Sequence, residues 1–195
     1  MTTDAESVVA IASSAGGLEA LSMVLAGLPA DFPAAVVIVQ HLDRSHPSHM
    51  AAILDGRTAL SVKEARQGDV LRRGQVYVAP PDHHLLVNGD GTLALSHAEL
   101  VHFVRPSADL LFESVAATYR DRAIAVVLTG TGSDGTTGVR AVKKMGGTVI
   151  AQDEQSARFF GMPAAAIETG VVDQVLPLAD IPPSLQDLLA SRRGA

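Results

Sequence analysis

Cysteine and tryptophan are absent from the chain, and aromatic residues make up only 4% of it. Without a thiol there is no disulfide, no cysteine metal site and no thiol nucleophile. The few aromatics go with an apolar fraction of 47%, mostly Ala, Val and Leu, which suits buried parallel strands covered by helices. No apolar run reaches the ~20 residues that a membrane-spanning helix needs. Residues 1–7 are polar and acidic, unlike the start of a signal peptide. Basic side chains are also scarce: 15 Lys and Arg against 21 Asp and Glu give a net charge of −6. That balance disfavours nucleic acid or an anionic membrane as the main partner. What these absences leave is the expectation of a soluble cytoplasmic protein. At 195 residues it is expected to form one domain with a substantial core.

The most informative stretch is Val8 to Leu18. An unbroken apolar run ends abruptly in Ser13, Ser14, Ala15, Gly16 and Gly17, and a helical pattern follows. This reads as strand, tight turn and helix with Ser14 at the apex, a loose form of the nucleophile elbow. Small neighbours keep the hydroxyl uncovered, and helix N-terminal amides nearby can stabilise negative charge. The competing reading is that Ser13 or Ser14 merely caps the helix.

Leu18, Leu21, Val24, Leu25 and Leu28 then recur at helical spacing until Pro29. Ala34–Gln40 is a second buried strand, with His41 where it ends; in open parallel sheets ligand sites gather at such carboxyl ends. Between Ala59 and His97 the texture becomes short and alternating, and is expected to be a β-rich insertion at one side of the parallel sheet. Within it, Asn88-Gly89 and Asp90-Gly91 predict an antiparallel pair over His84–Ser96, with His83 and His84 at the surface. Ser107 is a good N-cap for a helix carrying Leu110, Leu111, Val115 and Tyr119 inward, while Arg105 is a candidate for holding an acidic or carbonyl-bearing substrate. Ala123–Leu128 and Thr148–Ala151 are further buried strands, separated by a glycine loop and a helix with Val139, Val142 and Met145. A short helix from Gly161 to Thr169, a strand over Val171–Leu176 and a last helix over Ile181–Leu189 complete the chain. The alternation predicts an α/β fold: a doubly wound, mostly parallel sheet flanked by helices, with an antiparallel β-hairpin insertion.

Three chemistries compete. Gly130, Gly132 and Gly135 match the dinucleotide fingerprint after a strand, with Asp153 at the next strand end as a ribose-binding acid. Asp134 argues against it, because a carboxylate repels pyrophosphate at a helix N-terminus. His41, Asp43, His46 and His49 have metal-ligand character without specifying a closed coordination shell. The third reading joins Ser14, His41 and Asp134, all just beyond buried strands. A histidine can take the proton of a serine hydroxyl, and a buried carboxylate can fix the tautomer and stabilise the imidazolium. The glycines of the loop let backbone amides approach a developing oxyanion.

Taken in order, several motifs resemble the catalytic domain of the CheB family of chemotaxis protein-glutamate methylesterases, over about residues 8–190. They are Ser14-Ala15-Gly16-Gly17, Val39-Gln40-His41, Tyr77-Val78-Ala79-Pro80, Arg105-Pro106-Ser107 with Asp109, Leu128-Thr129-Gly130 with Gly132, Asp134 and Gly135, and Gly161-Met162-Pro163. The resemblance implies hydrolysis of γ-methyl esters on receptor glutamates, often with deamidation of receptor glutamines. It makes Ser14 the nucleophile, His41 the base and Asp134 the orienting acid, with the backbone around Thr131 as a candidate oxyanion hole and no cofactor. The implied partners are the methylated helical bundle of a chemoreceptor and a separate response regulator. The family's usual Gly-Ala-Ser-Thr-Gly-Gly reads Ala12-Ser13-Ser14-Ala15-Gly16-Gly17 here; aligning the glycine pair selects Ser14 over Ser13. Ala15 lacks the family's threonine hydroxyl, and Thr131 stands where the family usually has Met. The expectation is a single catalytic domain over residues 1–195 with no receiver domain. The non-enzymatic alternative is a receptor-binding or scaffold homologue that kept the fold.

Overall fold

The buried runs fold as the central strands of one sheet. In the computed structural model, which describes residues 5–41 and 48–193, Val8–Ser13 (β1) and Ala35–Gln40 (β2) are completely buried along their length. Ala123–Val127 (β7) and Thr148–Gln152 (β8) continue the sheet, with Gln174–Leu176 (β9) at one edge. Ser61–Glu64 (β3) and Gln75–Val78 (β4) complete the opposite edge. The order is β3-β4-β2-β1-β7-β8-β9, and every pairing is parallel. From β1 the chain first builds one half of the sheet, then crosses back to begin the other half at β7, beside β1. The switch point therefore lies at the carboxyl end of β1, where α/β folds place their ligands.

Alternate strand residues feed two cores, as the period of two requires. Val9, Ile11, Val36 and Ile38 pack on helices Gly17–Ala26 (α1), Met50–Asp55 (α2) and Ile181–Arg193 (α6). Val8, Ala10, Val37 and Val39 face Ala108–Tyr119 (α3), Thr136–Lys144 (α4) and Gly161–Glu168 (α5). His84–Val87 (β5) and Leu93–Ser96 (β6) form the antiparallel hairpin on that second face. It spans the predicted residues and buries Leu85 and Leu93.

Two expectations need correction. The segment Ala59–His97 is not wholly an insertion, because β3 and β4 belong to the main parallel sheet. Their alternation comes from position: β3 is an edge strand that buries Val62 and exposes Ser61 and Glu64. His84 is not a surface residue; it is fully buried, with Nε2 bonded to the Glu99 carbonyl at 2.9 Å. Among the described residues no helix is long and apolar enough to cross a membrane.

Candidate active site

Neither serine caps α1. The helix begins after Gly16, whose φ of +77° is the left-handed conformation that favours glycine, and no side chain caps it. Ser13 is fully buried and donates to Gln40 Oε1 at 2.5 Å, leaving Ser14 as the partly exposed hydroxyl of the turn. The parallel register pairs Ser13 with Gln40, and His41 N donates to Ser13 O at 3.1 Å, so Ser14 and His41 leave neighbouring strands side by side. On its other flank Ser14 N donates to Thr129 O at 3.0 Å, tying the turn to the end of β7. A Cβ on Gly130 would lie 2.8 Å from Ser14 Cβ and 2.5 Å from Met162 Sδ, so only glycine allows this approach.

His41 Nε2 lies 2.8 Å from Asp134 Oδ2, with both side chains largely shielded from solvent. The Asp134 carboxylate is surrounded by donors. Oδ2 also accepts from Ala108 N at 2.6 Å, while Oδ1 accepts from Ser107 Oγ at 2.9 Å and Asp109 N at 3.2 Å. Ser107 thus stands at the N-cap position of α3, but its hydroxyl goes to Asp134, which caps the helix from across the site. Burial works against the Asp134 charge, yet the bonds from His41, Ala108 and Asp109 outweigh it and hold its pKa below the usual carboxylate range.

The arrangement is reciprocal. Asp109, in the first turn of α3, accepts from Gly138 N in the first turn of α4 at 2.8 Å, while Asp134, just before α4, caps α3. The two helices approach closely enough that a Cβ on Gly138 would sit 2.6 Å from Phe112 Cβ. Burial pushes the Asp109 pKa up, the Gly138 amide offsets part of this, and the neighbouring Asp134 charge raises it further. Asp109 Oδ2 has no hydrogen-bond partner among the described residues and faces His102 Nε2 at 3.4 Å.

Of the three residues joined by sequence, His41 and Asp134 are hydrogen-bonded, and Ser14 stands beside His41 without a hydrogen bond from its hydroxyl to any described residue. An ionised carboxylate only accepts, so the proton between the two groups belongs to Nε2, and in the tautomer this requires the ring's lone pair is on Nδ1. Among the described residues, the buried polar side chains other than Ser7 and His84 all gather at this edge: Ser13, Gln40, Ser107, Asp109, Thr129, Asp134 and Gln152. Gln40, Thr129 and Gln152 were missed by sequence reasoning as site residues. The legible signal was a polar residue closing an otherwise apolar strand. Gln152 Oε1 takes Thr129 N at 2.8 Å, and Thr129 Oγ1 lies 3.0 Å from Ala15 O, bracing the turn from the β7–β8 side.

The competing chemistries fare differently. At α4 the Gly138 amide is occupied by Asp109, and Asp134 turns toward α3, so the helix N-terminus is not open to a pyrophosphate. Asp153 instead accepts from the backbone and hydroxyl of Ser156. Asp43 and His46 lie outside the described residues; His41 is engaged by Asp134, and no group of three potential metal ligands comes together among the described residues. Arg105 is not a free substrate clamp: its guanidinium binds Asp82 Oδ1 at 2.6 and 3.0 Å and the carbonyls of His97 and Ala98.

The chain is similar to a protein-glutamate methylesterase/protein-glutamine glutaminase 2 of Anaeromyxobacter dehalogenans, at 46% identity over 93% of this chain and 53% of that protein. A protein-glutamate methylesterase/protein-glutamine glutaminase of Thermotoga maritima is 42% identical over 93% of this chain and 54% of the relative. The chain thus spans about half the length of the curated relatives it matches. The crystal structure of the Thermotoga maritima CheB methylesterase catalytic domain superposes with a TM-score of 0.90 at 42% identity, covering 93% of this chain and 98% of that one. The CheB methylesterase family model matches residues 9–185. With that match running through both strand ends and both glycine loops of the site, the chain belongs to the CheB methylesterase family.

Proposed function

We propose that this chain is a serine esterase that hydrolyses glutamate γ-methyl esters on the cytoplasmic helical bundle of a chemoreceptor, with Ser14 as nucleophile, His41 as base and Asp134 as orienting acid. The observation that carries this reading is the 2.8 Å His41–Asp134 bond at the strand edge where Ser14 turns. Relatives covering this domain carry the name of that activity.

The geometry supports the following chemistry. Ser14 Oγ attacks the ester carbonyl carbon while His41 Nδ1 takes its proton, and Asp134 stabilises the resulting imidazolium through Nε2–H. The amides of Ala15 and Thr131 make no hydrogen bond to a described residue and flank the Ser14 turn; they are the donors for the oxyanion. Because only backbone amides are used, Thr131 serves as well as Met. The tetrahedral intermediate collapses by breaking the bond to the methoxy oxygen, which leaves as methanol with the proton from His41. A water molecule, deprotonated by His41, then attacks the acyl-serine, frees the glutamate carboxylate and restores Ser14. With a glutamine side chain the same steps release ammonia. No cofactor enters, and the substrate sets the location as cytoplasmic.

The test is methanol release from methylated receptor, together with labelling by a fluorophosphonate and mapping of the adduct. Ser14→Ala is expected to abolish both. Full activity in Ser14→Ala, with loss in Ser13→Ala, would reassign the nucleophile; an unlabelled parent protein would favour a non-catalytic receptor-binding role.

A further inference from the structure

We infer that Gln40 is a positioning residue for the esterase, an amide clamp that fixes the backbone of nucleophile and base relative to each other. This rests on the assignment of Ser14 and His41 above. The Gln40 side chain leaves the end of β2, is buried, and folds back over the strand ends. Its Nε2 donates to Ser14 O at 2.7 Å and to His41 O at 3.0 Å, so one NH2 group holds the carbonyls of both residues. Those are the two sites of the proton transfer, contributed by different strands beyond the end of their ladder. The Ser14 carbonyl also accepts from Gly17 N at 2.9 Å, so the clamp joins the turn to the start of α1.

The two carbonyls only accept, which makes the atom facing them the amide nitrogen and the other one the oxygen. Ser13 Oγ donates to that Oε1 at 2.5 Å and so holds the amide from its other end. Ser13, silent in the chemistry, thereby acquires a role: it holds Gln40, which holds Ser14. Gly17 leaves the space. A Cβ there would lie 1.9 Å from Gln40 Oε1 and 2.7 Å from Ser13 Oγ, so the glycine beside the turn is where the clamp sits. Strand pairing alone sets the two Cα positions only to within the play of a loop end. Nucleophile and base must be held far more closely than that for efficient proton transfer.

The experiment compares Gln40→Glu, Ser13→Ala and the double variant with the parent chain. Gln40→Glu keeps the acceptor for Ser13 but puts an oxygen against two carbonyls, and Ser13→Ala removes one atom from the anchor. The readouts are kcat and KM for p-nitrophenyl acetate, the second-order rate of fluorophosphonate labelling with the adduct site mapped, and the melting temperature. Gln40→Glu is expected to lower kcat and the labelling rate at least tenfold while KM stays within about twofold, with the adduct still on Ser14. Ser13→Ala gives a smaller loss of the same kind, and the double variant is no worse than Gln40→Glu. A role confined to folding would lower the melting temperature and leave kcat of the folded fraction unchanged. A folded Gln40→Glu protein with parental kcat and labelling rate overturns the clamp, as does strict additivity of the two substitutions. If Gln40→Glu does not fold, Ser13→Ala decides alone: reduced kcat at unchanged KM supports the clamp, and parental kcat overturns it. A parent whose adduct maps elsewhere than Ser14 refutes the catalytic assignment instead.

Discussion

Replacing Asp134 by Asn is expected to slow the enzyme moderately, because the donors around the carboxylate dictate how the amide must sit. All four partners donate: His41 Nε2 and Ala108 N to Oδ2 at 2.8 and 2.6 Å, Ser107 Oγ and Asp109 N to Oδ1 at 2.9 and 3.2 Å. An asparagine must place its NH2 on one side. Against Ala108 N it would oppose a short bond from a rigid amide; on the Oδ1 side it meets the longest of the four bonds and a hydroxyl that can rotate to accept. The amide oxygen therefore stays on His41, and the Nε2–H tautomer survives. What is lost is the charge. A hydrogen bond to an ionised group is worth ~1.5–3 kcal/mol against about 1 for a neutral one. The imidazolium thus loses ~1–2 kcal/mol of stabilisation, or roughly 5- to 30-fold in kcat/KM. The Asp109 amide, now facing a donor, costs ~1–3 kcal/mol of stability, which lowers the melting temperature by roughly 2–12 °C in a domain of this size. Ester hydrolysis and a thermal melt on one preparation measure both. A folded variant slowed by about 10⁴-fold, the signature of a wrong tautomer, would refute the orientation argument. A variant within twofold of the parent would refute the role of the charge.

Gly130→Ala should remove most activity at a cost of ~1–3 kcal/mol in stability, since the new Cβ meets Ser14 Cβ at 2.8 Å and Met162 Sδ at 2.5 Å; parental kcat in a denaturant-titrated sample contradicts this. Asp109→Asn tests the raised pKa of that buried carboxyl. A carboxyl whose folded pKa exceeds its unfolded value costs stability above the unfolded pKa of about 4 and costs nothing once both states are protonated. The variant, whose amide oxygen still accepts from Gly138, should melt above the parent at pH 7. The gap should close as pH falls below about 4; a lower melting temperature at pH 7 contradicts it. Asp134 has the opposite sign: its depressed pKa contributes stability above the ordinary carboxylate range, lost as pH falls through the lower folded value. A parent whose melting temperature does not drop in acid more than that of Asp134→Asn would contradict this.

Much of the architecture was written in the chain. Strands such as Val8–Ser13 and Ala35–Gln40 are apolar on both faces, which only a buried parallel strand tolerates, and the polar residues that close them, with the small residues and glycines after the first, marked one edge of the sheet. Ser14, His41 and Asp134 were singled out for a related reason: each lies within a few residues of the end of an apolar strand. Tertiary structure alone decided the partnerships. That β3 and β4 join the main sheet, that His84 is buried, that Arg105 is engaged by Asp82, and that Asp134 and Asp109 exchange caps between α3 and α4 all depend on contacts between distant segments. A local pattern records how one residue meets water or core; it carries no record of which far segment supplies a hydrogen-bond partner. The Gln40 amide shows the division: its polarity at a strand end was visible, while its grip on the carbonyls of Ser14 and His41 exists only once β1 and β2 lie side by side.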